Sequence, residues 1–281
     1  MRNNLSSELS DKYTRFRTHL RRSWINVKLH SQIRDLLREK CKDPHYADSV
    51  IVDCLSPVGS ERQANIRLRG KSLLGFIESS KGAGTEWALE WTLTSSIALF
   101  EAFVSDSASA AYLSDPERFI LGRIHQDSTE KENHNVTEIL IKSNTKEEAL
   151  EKIAEEKLRN IFYGNPIDAF IRYQKNGAYK DGKLRFGLNE VLHDNCAREL
   201  KLYAEMVGRR NSIVHNAGII DSKYVREIEG MPEKLSIGSK VQINEAYLFS
   251  SLRALDKIAT YYIQQVSRTC GISAAPKNAK L

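Results

Sequence analysis

Two arginines, an amide and a histidine fall within seven residues, in the run Arg209-Arg210-Asn211-Ser212-Ile213-Val214-His215. Those types suit cleavage of RNA through its own 2′-hydroxyl. The reaction needs a group that gives or takes a proton near neutral pH and a fixed cation facing the phosphate as it gains charge. It requires neither a metal nor a protein nucleophile. Histidine is the side chain that ordinarily titrates in that range. Arginine offers a planar fork matched to phosphate oxygens. His215 is thus the candidate acid/base and Arg210 the candidate phosphate-facing cation, with Asn211 placed to orient the histidine or hold a phosphate oxygen. Arg209 and Asn216, on either side, are the expected substrate-binding residues.

The element that must position them is a helix. From Val191 to Val214, apolar residues recur at steps of three and four (Leu192, Cys196, Leu200, Tyr203, Val207), the period of a one-sided helix. Arg210 falls on that stripe where a leucine would be expected. Asn211 and His215 are four apart and share a face. Arg210 and His215 are five apart, about 140° around an ideal helix. They can serve one ligand only if the arginine reaches around or a second subunit supplies half of the site. Gly218 is placed to be the left-handed residue that ends the helix, which puts His215 in the last turn.

The run from Arg210 to His215 resembles the Arg-polar-x3-His signature of HEPN domains, and Asn216-Ala217-Gly218-Ile219-Ile220-Asp221 matches a common continuation in that group. The resemblance covers roughly residues 85–268 and implies a helical bundle that pairs as a dimer, with the Arg and His of both copies meeting at the interface. It implies a metal-independent endoribonuclease that leaves 2′,3′-cyclic phosphate and 5′-hydroxyl ends, in a toxin or anti-phage defence role. RNA is then the substrate, no cofactor or metal is expected, and an inhibitory or activating partner protein fits such a role. The resemblance extends loosely to the long apolar helix after Thr85, where HEPN domains carry an acidic residue in the place of Glu101. The alternatives are a HEPN-like nucleotide-binding, RNA-binding or dimerisation module without turnover, and a DNA-binding regulator that works through a basic N-terminal region.

That region follows from the charge distribution. The 281 residues carry a net charge of +6, but residues 1–42 alone hold eleven Lys/Arg against four acids. A basic head on a neutral body fits an anionic partner. Tyr13, Phe16, Leu20, Trp24 and Val27 recur at helical spacing within it, and Leu29, Ile33 and Leu36 continue on a drifted stripe, so one long helix or two joined ones is expected from Asp11 to about Lys42. A phosphate-contacting helix and a core-packing helix with a solvated basic face both fit this pattern.

The remaining sequence predicts an all-α chain: a basic helical N-terminal extension (1–84), a HEPN-like helical bundle (85–268) and a disordered tail (269–281). The domain boundary is set at the Lys81-Gly82-Ala83-Gly84 joint. Ser49–Leu55 reads as a short strand or an apolar helical turn. Ser114-Asp115-Pro116-Glu117 reads as a helix restart, His125–Asn135 as a loop, and Asn144-Thr145-Lys146-Glu147-Glu148 as a helix start. Asn165-Pro166 breaks that helix, and Gln174–Asn189 reads as an exposed basic loop. Leu235–Ile243 alternates like a small hairpin or extended segment before a last helix from Asn244 to about Arg268. Gly70-Lys71-Ser72 is not a phosphate-binding loop, because Asn65 stands where the motif needs its first glycine. Cys41, Cys54, Cys196 and Cys270 are too scattered for a zinc site or a disulfide framework, and Cys196 reads as core. No apolar run approaches the ~20 residues of a membrane span, and the N-terminus lacks the apolar core of a secretory signal. A cytoplasmic protein with no membrane partner is expected.

Overall fold

A computed structural model describes residues 2–49, 52–54, 66–68, 75, 83–115, 130–162, 190–227 and 236–272. They are mostly helical. In chain order the elements are α1 (Arg2–Lys40), α2 (Pro44–Ser49), β1 (Val52–Cys54), β2 (Ile66–Leu68), α3 (Ala83–Ser114), α4 (Glu130–Lys142), α5 (Lys146–Phe162), α6 (Glu190–His215), α7 (Ser222–Glu227) and α8 (Glu245–Thr269). The expected restart at Pro116-Glu117, the break at Asn165-Pro166, the basic loop 174–189 and the part of the 269–281 tail from 273 onward lie outside the described residues; the tail's first residues are ordered, with Thr269 ending α8 and Cys270 buried.

The chain divides into two compact units. The first comprises Met1–Leu20, Leu93–Val241 and Phe249–Leu281; the second comprises Arg21–Thr92 and Gln242–Leu248. The units therefore do not part at the glycine joint near residue 84. That joint leads directly into α3, and the first half of α1 belongs with the bundle.

In the first unit the reason is burial. Leu5, Leu9, Tyr13, Phe16 and Leu20, at steps of four, four, three and four, are all 5% exposed or less, so the apolar face of this half of α1 is core. Phe16 stacks on Phe103 with ring centroids 4.9 Å apart. The Tyr13 hydroxyl and Thr260 share a 2.6 Å hydrogen bond. Arg17, one of the cations of the basic head, forms a 2.7 Å ion pair with Asp256. Around these residues the core is built from Leu93, Ile97 and Phe100 of α3, Leu200 and Tyr203 of α6, and Leu255, Ile258 and Tyr262 of α8. The Tyr262 hydroxyl donates to the Val104 carbonyl at 3.1 Å, and burial pushes that phenol above its ordinary range.

The start of α5 shows its sequence signal in atoms. Thr145 Oγ1 accepts the Glu148 N–H at 3.1 Å, and the Glu148 carboxylate reaches back to the Asn144 N–H at 2.8 Å, the reciprocal exchange that caps a helix. Lys152 and Asn144 together hold that carboxyl below its usual value. The loop expected over His125–Asn135 is corrected in its second half, because α4 begins at Glu130. The polar sequence there gave no apolar stripe from which to see a helix.

In the second unit, β1 and β2 pair antiparallel with Val52 opposite Leu68 and Cys54 opposite Ile66, which settles the strand reading of this segment. Lys28 of α1 pairs with Glu245 at 2.7 Å. Trp87 and Trp91 stack on one another, with centroids 6.2 Å apart. Among the described residues no helix is long and apolar enough to cross a membrane.

Candidate functional site

The helix α6 carries the site. It bends at Cys196, where φ is −131° and ψ 18°, and then runs unbroken through Arg210 to His215. Cys196 is fully buried, as the periodicity predicts, and burial pushes its thiol up to about 12.

The end of α6 is fixed by its exit. The Ser212 carbonyl accepts both the Asn216 N–H at 2.9 Å and the Gly218 N–H at 2.8 Å. The chain leaves through two left-handed residues, Ala217 at φ 50° and Gly218 at φ 79°. Gly218 has the conformation expected of it, and His215 is the last helical residue. The exit is braced by the segment that the sequence reads as a hairpin. Gly238 donates to the Ile220 carbonyl at 2.9 Å, Ile220 to Ser239 at 2.9 Å, and Val241 to Gly218 at 2.8 Å. Residues 238–241 therefore pair with 218–220, where the chain leaving α6 offers unpaired backbone groups beside them, and within the segment the Ser239 N–H closes a turn onto the Ser236 carbonyl at 3.1 Å. Ile220 and Val241 are buried by this pairing.

Arg209 and Arg210, adjacent in sequence, have opposite surroundings. Arg209 is buried and ion-paired with Glu205, one turn back on α6. The Tyr224 hydroxyl of α7 donates to the same carboxylate at 2.7 Å. This corrects the expectation that Arg209 binds substrate: its charge is consumed inside the fold, tying α6 to α7. Arg210 points instead to α3, where its Nη1 and Nη2 donate to the two oxygens of Glu101 at 3.2 and 3.3 Å. Both side chains are part-exposed, at 22 and 26%. The Tyr203 hydroxyl, seven residues before Arg210 and on the same face, donates to Glu101 at 3.3 Å. Burial, reinforced by the Glu101 charge, holds that phenol well above its ordinary range, so it remains a proton donor. Arg210 Nε is buried without a hydrogen-bond partner among the described residues.

His215 is exposed and Asn211 half-buried. On the continuous helix they share a face, while Arg210 stands about 140° from His215. The structure thus brings Arg210 together with Glu101 and Tyr203, and leaves His215 on a different side of the same helix. Asn216 is exposed, and its amide donates to Asp221 at 2.8 Å. Asp221 caps α7, accepting the Tyr224 N–H at 2.7 Å. That bond, and then Asn216, hold its carboxyl below the usual range. Asn216 therefore serves the turn.

Tyr203 and Glu205 are the residues that pattern reading missed. Each had a signal: a hydroxyl-bearing ring on the apolar stripe two turns before an arginine, and a glutamate four residues before another. Glu101 was visible only through the HEPN resemblance. What the arrangement offers chemically is a guanidinium held flat by a carboxylate at one side of the helix end, and a solvent-accessible imidazole at another. Among the described residues no group of His, Cys, Asp and Glu is placed to hold a metal ion. No family model, curated protein or solved structure matches the chain.

Proposed function

We propose that the chain is a HEPN-type endoribonuclease that acts without a metal and as a dimer. The observation that carries the reading is the clamp of Arg210 by Glu101 and Tyr203, near the end of a helix whose last residue is an exposed histidine. A phosphate displaces or shares the Glu101 carboxylate and finds a preoriented, bidentate donor. His215 then moves the proton, taking it from the 2′-hydroxyl or giving it to the departing 5′-oxygen. The 2′-oxygen attacks phosphorus as the bond to the 5′-oxygen breaks, leaving a 2′,3′-cyclic phosphate and a 5′-hydroxyl. Asn211 shares the His215 face and orients the imidazole. The 140° between Arg210 and His215 is the reason for a dimer: the two groups meet on one phosphodiester most directly when each copy supplies one of them. A toxin or anti-phage role, with a partner protein that restrains or triggers the enzyme, accords with this activity.

One observation favours a second reading. Arg210 is already neutralised by Glu101, as in an arginine that only packs, so a HEPN-like nucleotide-binding, RNA-binding or dimerisation module without turnover is the alternative. The deciding experiment incubates labelled single-stranded and structured RNA in EDTA with wild type, Arg210→Ala and His215→Ala, and identifies the ends. The ribonuclease reading expects cyclic-phosphate ends from the wild type and loss of cleavage in both folded variants. An inert wild type, or cleavage that survives both changes, gives the site to the binding module.

A further inference from the structure

The carboxylate that holds Arg210 is only half used. Glu101 Oε1 accepts both Arg210 Nη2 and the Tyr203 hydroxyl at 3.3 Å, whereas among the described residues Oε2 accepts Arg210 Nη1 alone, at 3.2 Å. A carboxylate oxygen has room for a second donor, and the Glu101 side chain is 26% exposed, so a ligand can reach it. Tyr203 is fixed by comparison: its ring is 1% exposed and meets Phe100 edge-on, with centroids 5.1 Å apart. The guanidinium is divided in the same way. Glu101 takes one N–H on each Nη and Nε is buried, which leaves a second N–H on each Nη for a phosphate oxygen.

Cleavage through the 2′-hydroxyl moves one proton off the attacking oxygen and another onto the departing 5′-oxygen. In an in-line displacement those oxygens lie on opposite sides of phosphorus, and one imidazole cannot face both. We propose that Glu101 is the base, taking the 2′-hydroxyl proton on Oε2, and that His215 is the acid; the assignment rests on the ribonuclease reading. A phosphodiester that shares Arg210 with Glu101 brings its 2′-hydroxyl beside the carboxylate. It also sets a second negative charge there, and uptake of the proton removes the repulsion. As Oε2 takes the proton, the 2′-oxygen bonds to phosphorus, the bond from phosphorus to the 5′-oxygen breaks, and the His215 imidazolium protonates the departing oxygen. Glu101 is left as the carboxylic acid and His215 as the neutral imidazole, and exchange with water restores both. Tyr203 is a positioning residue, keeping the carboxylate turned toward Arg210 while the phosphate shares it.

The test uses the full chain and an oligoribonucleotide carrying a bond that the wild type cleaves, made with either oxygen or sulfur at the leaving 5′ position. Sulfur departs as a thiolate and needs no acid. Glu101→Gln is expected to lose about a hundredfold or more in rate on both substrates, and His215→Ala to lose as much on the oxygen substrate but to come within about tenfold of wild type on the sulfur one. Glu101→Gln should also bind a fully 2′-O-methyl strand at least as tightly as wild type by fluorescence anisotropy, since the amide competes less for Arg210. A merely structural Glu101 would lose binding together with rate. Should circular dichroism show that Glu101→Gln does not fold, Glu101→Asp keeps the charge beside Arg210 but draws the oxygens back, and is expected to lose about a hundredfold in rate on both substrates with binding unchanged. The assignment is overturned, with the ribonuclease reading intact, if the Glu101 variant keeps the wild-type rate, loses binding along with rate, or is rescued by sulfur, or if sulfur does not rescue His215→Ala. A wild type that cleaves no RNA in EDTA overturns the reading and the assignment together.

Discussion

Gly208 gives a prediction in which the sign, not only the size, is at stake. It lies in the interior of α6, two residues before Arg210, where alanine would ordinarily be the better residue by about 1 kcal/mol. Here a Cβ would sit 2.3 Å from both Cδ2 and Cε2 of the Tyr224 ring. The ring cannot simply swing away, because it is 3% exposed and its hydroxyl is bound to Glu205. Overpacking of this kind costs about 1–3 kcal/mol, enough to overcome the helical gain. Gly208→Ala is therefore expected to lower stability by up to about 2 kcal/mol, a fall in melting temperature of up to about 3 °C for a chain of this size. With the ring removed in a Tyr224→Ala background, the same substitution should become stabilising by about 1 kcal/mol. Thermal unfolding of the four proteins, followed by circular dichroism, closes the cycle. A Gly208→Ala protein that melts higher than wild type, or a change that destabilises both backgrounds equally, would refute the argument that α6 and α7 are held at contact distance by this pair.

Three further outcomes follow. Arg209→Met leaves the buried Glu205 charge with Tyr224 but without its cation, and should cost about 3–5 kcal/mol in denaturant unfolding; adding Glu205→Leu should recover most of that loss, and if it does not, the pair is not what stabilises this part of α6. Cys196, with its thiol raised to about 12 by burial, should resist iodoacetamide at pH 8 in the folded chain and react in guanidinium, as read by peptide mass spectrometry; rapid labelling of the native protein would contradict the core assignment. Asp221, whose folded carboxyl is held low by the Tyr224 N–H, contributes stability that is present above its ordinary value and lost as the pH falls through the lowered one. Wild type should therefore exceed Asp221→Ala by about 1 kcal/mol at neutral pH, and the gap should close only below about pH 4. A gap that is constant across the acid range would remove the carboxylate from the cap.

Much of this architecture is legible in the sequence because periodicity reports burial. The stripes on the first half of α1 and on α6, the Thr145–Glu148 cap and the left-handed Gly218 each follow from local rules, whereas the drifted stripe of Leu29, Ile33 and Leu36 on the second half of α1 is exposed. The places where reading fails share a cause: they depend on partners remote in sequence. Nothing near Arg17 announces Asp256, and nothing near residues 238–241 says that their backbone pairs with 218–220. The alternation there signals extended chain correctly and its partner not at all. Arg209 illustrates the same limit at close range, since a cation beside a candidate catalytic arginine looks equally suited to substrate and to the interior. The i, i+4 glutamate was the one local clue to its burial.

The two adjacent arginines show how one helix end can hold one cation rigidly and leave the next accessible. Neighbouring residues on a helix point about 100° apart, so Arg209 and Arg210 necessarily meet different environments. Arg209 is drawn inward, where Glu205 and the Tyr224 hydroxyl answer its charge. A buried, fully answered polar group of this kind fixes orientation more than it adds stability. Arg210 is left at the edge, part-exposed, against a carboxylate that solvent also reaches, and an ion pair of that exposure is worth about 0–1 kcal/mol. A phosphate dianion or phosphodiester can compete for a guanidinium held so weakly. It could not compete for Arg209 without breaking the contact that positions α6. On the proposed reading Arg210 is the exchangeable cation, while Arg209 keeps the helix end in place through Glu205.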